Sequence, residues 1–291
     1  MSSTSENATF VFVHGAHHDG GTWDDLVPEL EARGHGSVTL DLPGAGVNAA
    51  EPESLHVRPL DPVAFGTEPS PNAGVTQDER TAAVIEAVQA AAAMGNGDVV
   101  LVGHSLGGLT TSVVTEAIPE KLKATVFLAS FLAPNGMIAG ALLGHESMAD
   151  SHMLGLLMAD PGVVGAIRID TRSTDPEYLA KVKAAFYADL TDSQFEAAMG
   201  KLHSDEPAQV GAEPSNITAE NFGQVDRHYI RCAQDNVMTP ACQDLVVQMV
   251  DESLGSTTTV HEMNTSHSPF YSDPAGLADI LASIAASPSA E

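Results

Sequence analysis

Basic residues are scarce. Lys and Arg number 12 against 39 Asp and Glu in 291 residues, a formal net charge of −27. Such a charge repels polyanions, which argues against nucleic acid or an anionic membrane surface as a partner and favours a neutral or cationic small molecule. A carboxylate-rich surface serves solubility, and a high-salt habitat would select the same excess. Only two cysteines are present, Cys232 and Cys242, too few for a disulfide framework. Cys232 lies in the apolar-rich HYIRCA, which predicts a buried free thiol and, with it, a cytoplasmic location. No apolar run reaches the roughly 18 residues needed to cross a bilayer. The opening MSSTSENATF lacks the basic and apolar regions of a signal peptide, and residues 1–8 and 287–291 are expected to be flexible tails.

What the chain does contain is a regular alternation. Strand candidates are TFVFVHG (9–15), SVTLDLP (37–43), DVVLVGH (98–104), KATVFLAS (123–130), RHYIRCAQ (227–234) and TTTVHEM (257–263). Several are apolar almost throughout, as strands buried on both faces of a parallel sheet must be. Between them WDDLVPELEARG, TQDERTAAVIEAVQAAAAMG, GGLTTSVVTEAIPEKL and PACQDLVVQMVDESLG read as amphipathic helices. The order predicts an α/β fold with a doubly wound, mainly parallel sheet. Two segments interrupt the rhythm. Residues 44–75 are proline-rich, too long for a passive loop, and expected to cover part of the site. Residues 134–222 separate the fourth and fifth strands and contain helical patterns. The expectation is a core of 9–133 and 223–286, with 134–222 as an inserted helical cap over the C-terminal edge of the sheet, where ligands bind in such folds.

The stretch VVLVGHSLGGLTTSVVTEAI (99–118) places one hydroxyl between glycines where a strand becomes a helix. Gly103 and Gly107 flank Ser105, the G-x-S-x-G nucleophile elbow in its required strand–turn–helix setting. A serine needs a base, and on such a fold the chain order is serine, acid, histidine. His267 follows the last strand, just before the final helix; His261 lies within that strand, and His145, His152 and His203 fall in the cap. Asp235 closes the fifth strand, whereas Asp226 precedes it and Asp244 and Asp251 belong to the next helix. Ser105, Asp235 and His267 are therefore the candidate catalytic residues, with Asp235 fixing the imidazole. Two N–H donors are needed for the oxyanion; Leu106, after the serine, and Ala16, in the loop after the first strand, are the candidates. Gly15 and His17 beside them, with Met153 and Met158 among the five cap methionines, are the candidate substrate contacts. Flexible thioethers suit an adaptable apolar pocket, although they also suit simple packing between cap helices. His14, His17, His18 and Asp19 lie close together, but they lack helical zinc-motif spacing, so no metal is expected.

Three of these stretches, FVFVHGAHHDGGTWDDLVPELEARGH, GHSLGGL and SHSPFYSDP, resemble the α/β-hydrolase superfamily, specifically the plant methylesterase and hydroxynitrile lyase branch with its bacterial esterase relatives. The resemblance spans roughly 9–43, 76–134 and 226–286. It implies a cap, no cofactor, hydrolysis of a carboxylic ester, the triad Ser105–Asp235–His267 and the donors Ala16 and Leu106. The chain departs from it in the length of 44–75 and at Asp19, where relatives often carry a small residue. In the plant lyases a lysine follows the triad histidine and a hydroxyl residue follows the first histidine of the oxyanion loop; here Ser268 and Gly15 stand there. The expected activity is that of a serine esterase on a small, neutral, apolar or aryl ester, through an acyl-enzyme. A C–C lyase, a lactonase or amidase, and a binding protein that kept the fold remain the alternatives. The expected partner is the small-molecule ester, and a homodimer is compatible with the sequence.

Overall fold

A computed structural model describes residues 7–287. The chain runs through β1 (Thr9–Val13), α1 (Val27–Ala32), β2 (Gly36–Thr39), α2 (Pro62–Thr67), α3 (Gln77–Ala92), β3 (Val99–His104), α4 (Gly107–Ala117) and β4 (Ala124–Leu128). The insertion carries α5 (Pro161–Val164), β5 (Ala166–Arg168), α6 (Pro176–Phe186), α7 (Asp192–Met199) and β6 (Asp205–Pro207). The chain then returns through β7 (Asp226–Cys232), α8 (Pro240–Leu254), β8 (Thr259–Met263), α9 (Pro269–Ser272) and α10 (Pro274–Ala285).

All six expected strands form, in one sheet ordered β2–β1–β3–β4–β7–β8 in which every neighbour pair is parallel. The interior strands β1, β3 and β4 are buried along their whole length, whereas the edge strands β2 and β8 are largely half-buried or exposed. Alternate side chains serve opposite faces. Phe10 and Phe12 join Trp23, Leu30, Phe270 and Leu281 in one core layer. Val11 and Val13 join Val84, Val88 and Val114 of α3 and α4 in another. Cys232 and Cys242 are both buried free thiols.

The sequence also marks where helices start. Thr76 and Glu79 form a capping box at α3, and Thr239 caps α8, which ends at Gly255 with φ +65°. Such a left-handed position suits glycine. The helix expected over 23–34 is shorter. A 3-10 turn occupies Gly20–Trp23 and α1 begins at Val27, because Pro28 is pre-shaped for a first helical turn but not for an interior.

The insertion corrects two expectations. Its helices enclose a hydrophobic cluster around Val182, Phe186, Tyr187, Phe195 and Leu202, but it also contains an antiparallel ribbon of β5 and β6, so the cap is not wholly helical. Nor does the 44–75 segment cover the site, since none of its residues lines the cavity at Ser105. It braces the cap instead. Arg168, fully buried, pairs through Nε and Nη2 with both Asp205 oxygens at 2.7 and 2.6 Å. Its Nη1 donates to the Phe65 and Glu68 carbonyls, and its guanidinium lies 5.0 Å from the Phe65 ring centre. A buried guanidinium must satisfy its donors, and the proline-rich segment supplies those acceptors. Of the expected tails, 1–6 and 288–291 lie outside the described residues. Ala8, assigned to the first tail, is buried in the core, because the chain is already entering β1.

Candidate active site

The winding of the sheet reverses at β1, which pairs with β2 on one side and β3 on the other. The loops after β1 and β3 therefore meet at a switch point, the usual ligand crevice of such sheets. Ser105 sits there with φ +51°, a left-handed conformation that a serine holds only when its surroundings over-determine it. They do so here. Ser105 N–H donates to the Leu128 carbonyl, and its own carbonyl accepts from Gly108 N–H, Phe131 N–H and Ser130 Oγ at 2.7 Å. The flanking glycines are required by close approach. A Cβ on Gly107 would lie 2.4 Å from the His14 carbonyl oxygen, and one on Gly103 would lie 2.2 Å from Thr111 Oγ1.

His267 Nδ1 donates to Asp235 Oδ2 at 2.7 Å, with both side chains buried. With that proton committed to the carboxylate, the lone pair belongs to Nε2. Asp235 is held by the N–H groups of Val237 and Met238 on Oδ1, at 2.7 and 3.0 Å. Gln243 Nε2 lies 3.5 Å from Oδ2 and bonds the Cys232 and Met238 carbonyls. The His267 ring packs on His104, the neighbour of Ser105, at 4.6 Å between centroids, and His104 Nε2 donates to the His267 carbonyl at 3.0 Å. Burial, with His267 and His18 nearby, pushes the His104 imidazole well below its ordinary pKa, so it serves as a neutral donor. The Ser105 hydroxyl itself makes no hydrogen bond to protein among the described residues.

The histidine-rich loop after β1 is oriented by its own rings. His14 Nδ1 donates to the Gly15 carbonyl at 2.9 Å, while its Nε2 accepts from Leu42 N–H at 3.2 Å. That carbonyl belongs to the same trans peptide as Ala16 N–H, so fixing one aims the other the opposite way. His18 Nδ1 donates to the Ala16 carbonyl at 2.8 Å, leaving Nε2 to accept from the Tyr187 hydroxyl at 2.9 Å. Burial lowers the two pKa values to about 4 for His14 and about 3 for His18, so both rings stay neutral. Ala16 and Leu106 each carry an N–H without a protein acceptor among the described residues, and both line the cavity at Ser105. Asp19 caps the 3-10 turn by accepting from Gly21 N–H, and its contact with His203 lowers its pKa.

That cavity measures about 330 Å³. Ser105 carries the one polar side chain among its lining residues; apolar groups such as Leu106, Phe131, Leu143, Met148, Met153 and Phe186 supply the rest. No charged side chain is among the described residues that line it. Of the expected substrate contacts, Met153 lines this wall and Met158 does not. The Met158 N–H is drawn to the Arg168 carbonyl beside the ribbon, and Met158 borders a separate depression with Arg58, Leu60 and Tyr178. His17 also departs from expectation. It is buried, its Nδ1 donates to the His203 carbonyl at 3.0 Å and its N–H points to Glu206, so it joins the loop to the cap. Gly15 does not line the cavity either; it presses on Ser105, where an added Cβ would lie 2.8 Å from Ser105 Cβ.

Sequence reasoning missed His104, Gln243 and Asp189. Asp189, in the insertion, accepts from both the N–H and the hydroxyl of Ser266, the residue before His267. The loop after β7 is held from the insertion as well, through His152 N–H on the Asn236 carbonyl, Asn236 Nδ2 on the Ala184 carbonyl and Ser151 Oγ on the Val237 carbonyl, each at 2.8 Å. His104 was visible within GHS; the other two carry no local signal.

Comparison with known proteins agrees with this architecture. A family model described as the alpha/beta hydrolase family matches residues 10–280. Esterase PIR7B of Oryza sativa subsp. japonica is 30% identical over 292 residues, covering 97% of each chain. The alpha-hydroxynitrile lyase of Arabidopsis thaliana is 25% identical over 95% of this chain and 96% of its own. Among solved structures, a pyrethroid hydrolase from Sphingobium faniae JZ-2 superposes with a TM-score of 0.73 at 22% identity, covering 97% of this chain and 98% of that one. A strained serine at the switch point of a parallel sheet, a buried His–Asp pair behind it and a match over nearly the whole length lead to one assignment: the chain belongs to the alpha/beta hydrolase family.

Proposed function

We propose that the protein is a serine carboxylesterase that cleaves a small, uncharged ester with apolar or aryl substituents. The observation that carries this reading is the chemistry of the cavity wall. One strained hydroxyl, Ser105, stands beside two unpaired N–H donors, Ala16 and Leu106, in a chamber otherwise lined by hydrocarbon. Ser105 Oγ attacks the ester carbonyl while His267 Nε2 takes its proton. The N–H groups of Ala16 and Leu106 receive the developing oxyanion in a chamber lined by hydrocarbon, where such hydrogen bonds are stronger than in bulk water. Asp235 stabilises the imidazolium without itself taking the proton. His267 then protonates the departing alkoxide, and water activated by the same imidazole releases the acid. Lactones and amides enter by the same first step. The substrate is the partner this reading requires, and the charge of −27 makes an anionic one unfavourable.

The lyase alternative needs positive charge near the departing cyanide. The cavity offers none, and Ser268 next to His267 is neutral, with its Oγ buried and unpartnered. The test is labelling with a fluorophosphonate. Wild-type protein should take one adduct, on Ser105, and lose p-nitrophenyl butyrate turnover in proportion; Ser105→Ala should lower kcat by several orders of magnitude. Adduct formation elsewhere, with full activity in Ser105→Ala, or cyanide release from mandelonitrile at the rate of ester cleavage, would overturn the proposal.

A further inference from the structure

A second cavity, of about 410 Å³, adjoins the one at Ser105. Helix α4 borders both. Leu109, Ser112, Val113, Glu116 and Ala117, spaced as one face of that helix, line the outer cavity. Leu109, one helical turn beyond Ser105, also lines the inner one. Among the described residues just two others border both spaces, Ala139 and Gly211. Gly211 has no side chain and Ala139 a single methyl, so the Leu109 isobutyl group is the one sizeable side chain shared between them. It spans the gap from α4 to the insertion. A Cβ on Gly211 would lie 3.4 Å from Leu109 Cδ1, in ordinary van der Waals contact. Above this point the two spaces are divided by backbone, where Ile138 of the inner lining bridges Pro214 of the outer one.

The two spaces differ in character. The walls at Ser105 are hydrocarbon, whereas Asp78, Glu116 and Glu213 line the outer cavity, and no Lys, Arg or His is among its described lining residues. Glu116 is already occupied by the N–H groups of Thr218 and Phe222, the Thr218 hydroxyl and Asn221 Nδ2. Asp78 and Glu213 are exposed and give the outer cavity a negative potential that repels an anion. We propose that Leu109 sets the upper size limit of the substrate: its side chain closes the catalytic cavity, and without it that cavity continues into the outer one, which accepts the far end of a longer ester when that end is uncharged or cationic. The proposal rests on the esterase reading and leaves the chemistry at Ser105 as described. Each methylene that finds hydrocarbon corresponds to a gain of about fourfold in kcat/KM. A methylene that meets Leu109 must instead displace packed atoms, which reverses the gain.

The experiment compares wild type with Leu109→Ala on two ester series, p-nitrophenyl acetate to laurate and the butyrates of ethanol to 1-dodecanol, so that a chain on either side of the ester bond is tested. Wild-type kcat/KM should climb with chain length and then fall. In Leu109→Ala the fall should come at least two methylenes later in one series, which raises the long-to-short ratio of kcat/KM about tenfold or more. The ratio is taken within one preparation and is independent of how much variant is folded. Adding Gly211→Val to Leu109→Ala grows a side chain from the facing position and should bring the limit back. A double variant that keeps the longer limit would show loosening of α4 in place of a removed partition, and would overturn the proposal. Among long esters, one ending in a trimethylammonium group should gain more from Leu109→Ala than one ending in a carboxylate; equal gains would overturn the assignment of the outer cavity as the space entered. A Leu109→Ala profile matching wild type in both series would overturn the size-limit proposal and leave the esterase intact. Absence of turnover of every ester by wild type would overturn the esterase reading itself.

Discussion

Replacing Gly15 by alanine tests whether the loop after β1 places the oxyanion donor. Gly15 does not have a positive φ, so alanine meets no backbone penalty and only space matters. The added Cβ would lie 2.8 Å from Ser105 Cβ and from His104 Nδ1, and 3.2 Å from the His104 carbonyl oxygen. None of these is the free end of a flexible side chain. Ser105 is pinned by the elbow, and the His104 ring is tied to the His267 carbonyl. Carbon atoms rest no closer than about 3.5 Å, so the loop must retreat by roughly 0.7 Å, and Ala16 N–H moves with it. A misplacement of about 1 Å costs on the order of 100-fold in rate, and loss of one oxyanion donor costs about 100- to 1000-fold. Gly15→Ala should therefore lower kcat for p-nitrophenyl butyrate about 30- to 100-fold, with KM changed only a few-fold. Overpacking should cost roughly 1–3 kcal/mol of stability, read by urea unfolding. Gly74→Ala is the control, since a Cβ there meets nothing within 4 Å. A Gly15→Ala enzyme with kcat within twofold of wild type would refute the assignment of Ala16 as a donor.

Three further outcomes follow from the same geometry. The folded pKa values of His14 and His18, about 4 and about 3, lie below an unfolded value near 6.5. The unfolded chain therefore binds protons that the folded one refuses as pH falls below about 6.5, and stability drops toward pH 4, by roughly 1–2 kcal/mol per ring at pH 5. NMR should find both rings untitrated between pH 8 and pH 5, and titration of either near 6.5 would show that it is not buried as described. Met153→Ala should change the butyrate-to-acetate preference several-fold while Met158→Ala leaves it unchanged; equal effects would mean that the two share a wall. Asp189→Ala removes both bonds to Ser266 and should lower kcat about tenfold with little change in KM, and with Asp189→Asn intermediate. An unchanged kcat would show that the insertion does not position the base.

The outcome at particular residues shows where sequence reasoning reached and where it stopped. Strand identity was legible because burial on both faces leaves a contiguous apolar run, as in TFVFV and VVLVGH, and every one of the six runs became a strand of the sheet. The elbow was legible for the same local reason. Gly103 is demanded by an atom that the turn itself brings near, Thr111 Oγ1, although Gly107 is demanded by the His14 carbonyl of the loop after β1. Chain order singled out Asp235 and His267, which the structure joins at 2.7 Å. The site's walls were not legible. Met153 and Met158 look alike in sequence, five residues apart, yet only one faces the cavity, because the ribbon of β5 and β6 turns the other toward Arg58. The proline-rich segment looked like a lid and proved to be a brace, because Arg168, about a hundred residues further on, needs the Phe65 and Glu68 carbonyls as acceptors. Asp189, in the insertion, lies 77 residues from the serine it holds. The amino-acid sequence by itself determined the strands, the helix starts and the elbow, since periodicity, capping and steric exclusion act between residues close along the chain. Tertiary structure alone decided which side chains face the cavity, what the proline-rich segment supports and how the insertion holds the loops that carry Asp235 and His267, since those depend on satisfying buried donors and charges across distances that no local pattern records.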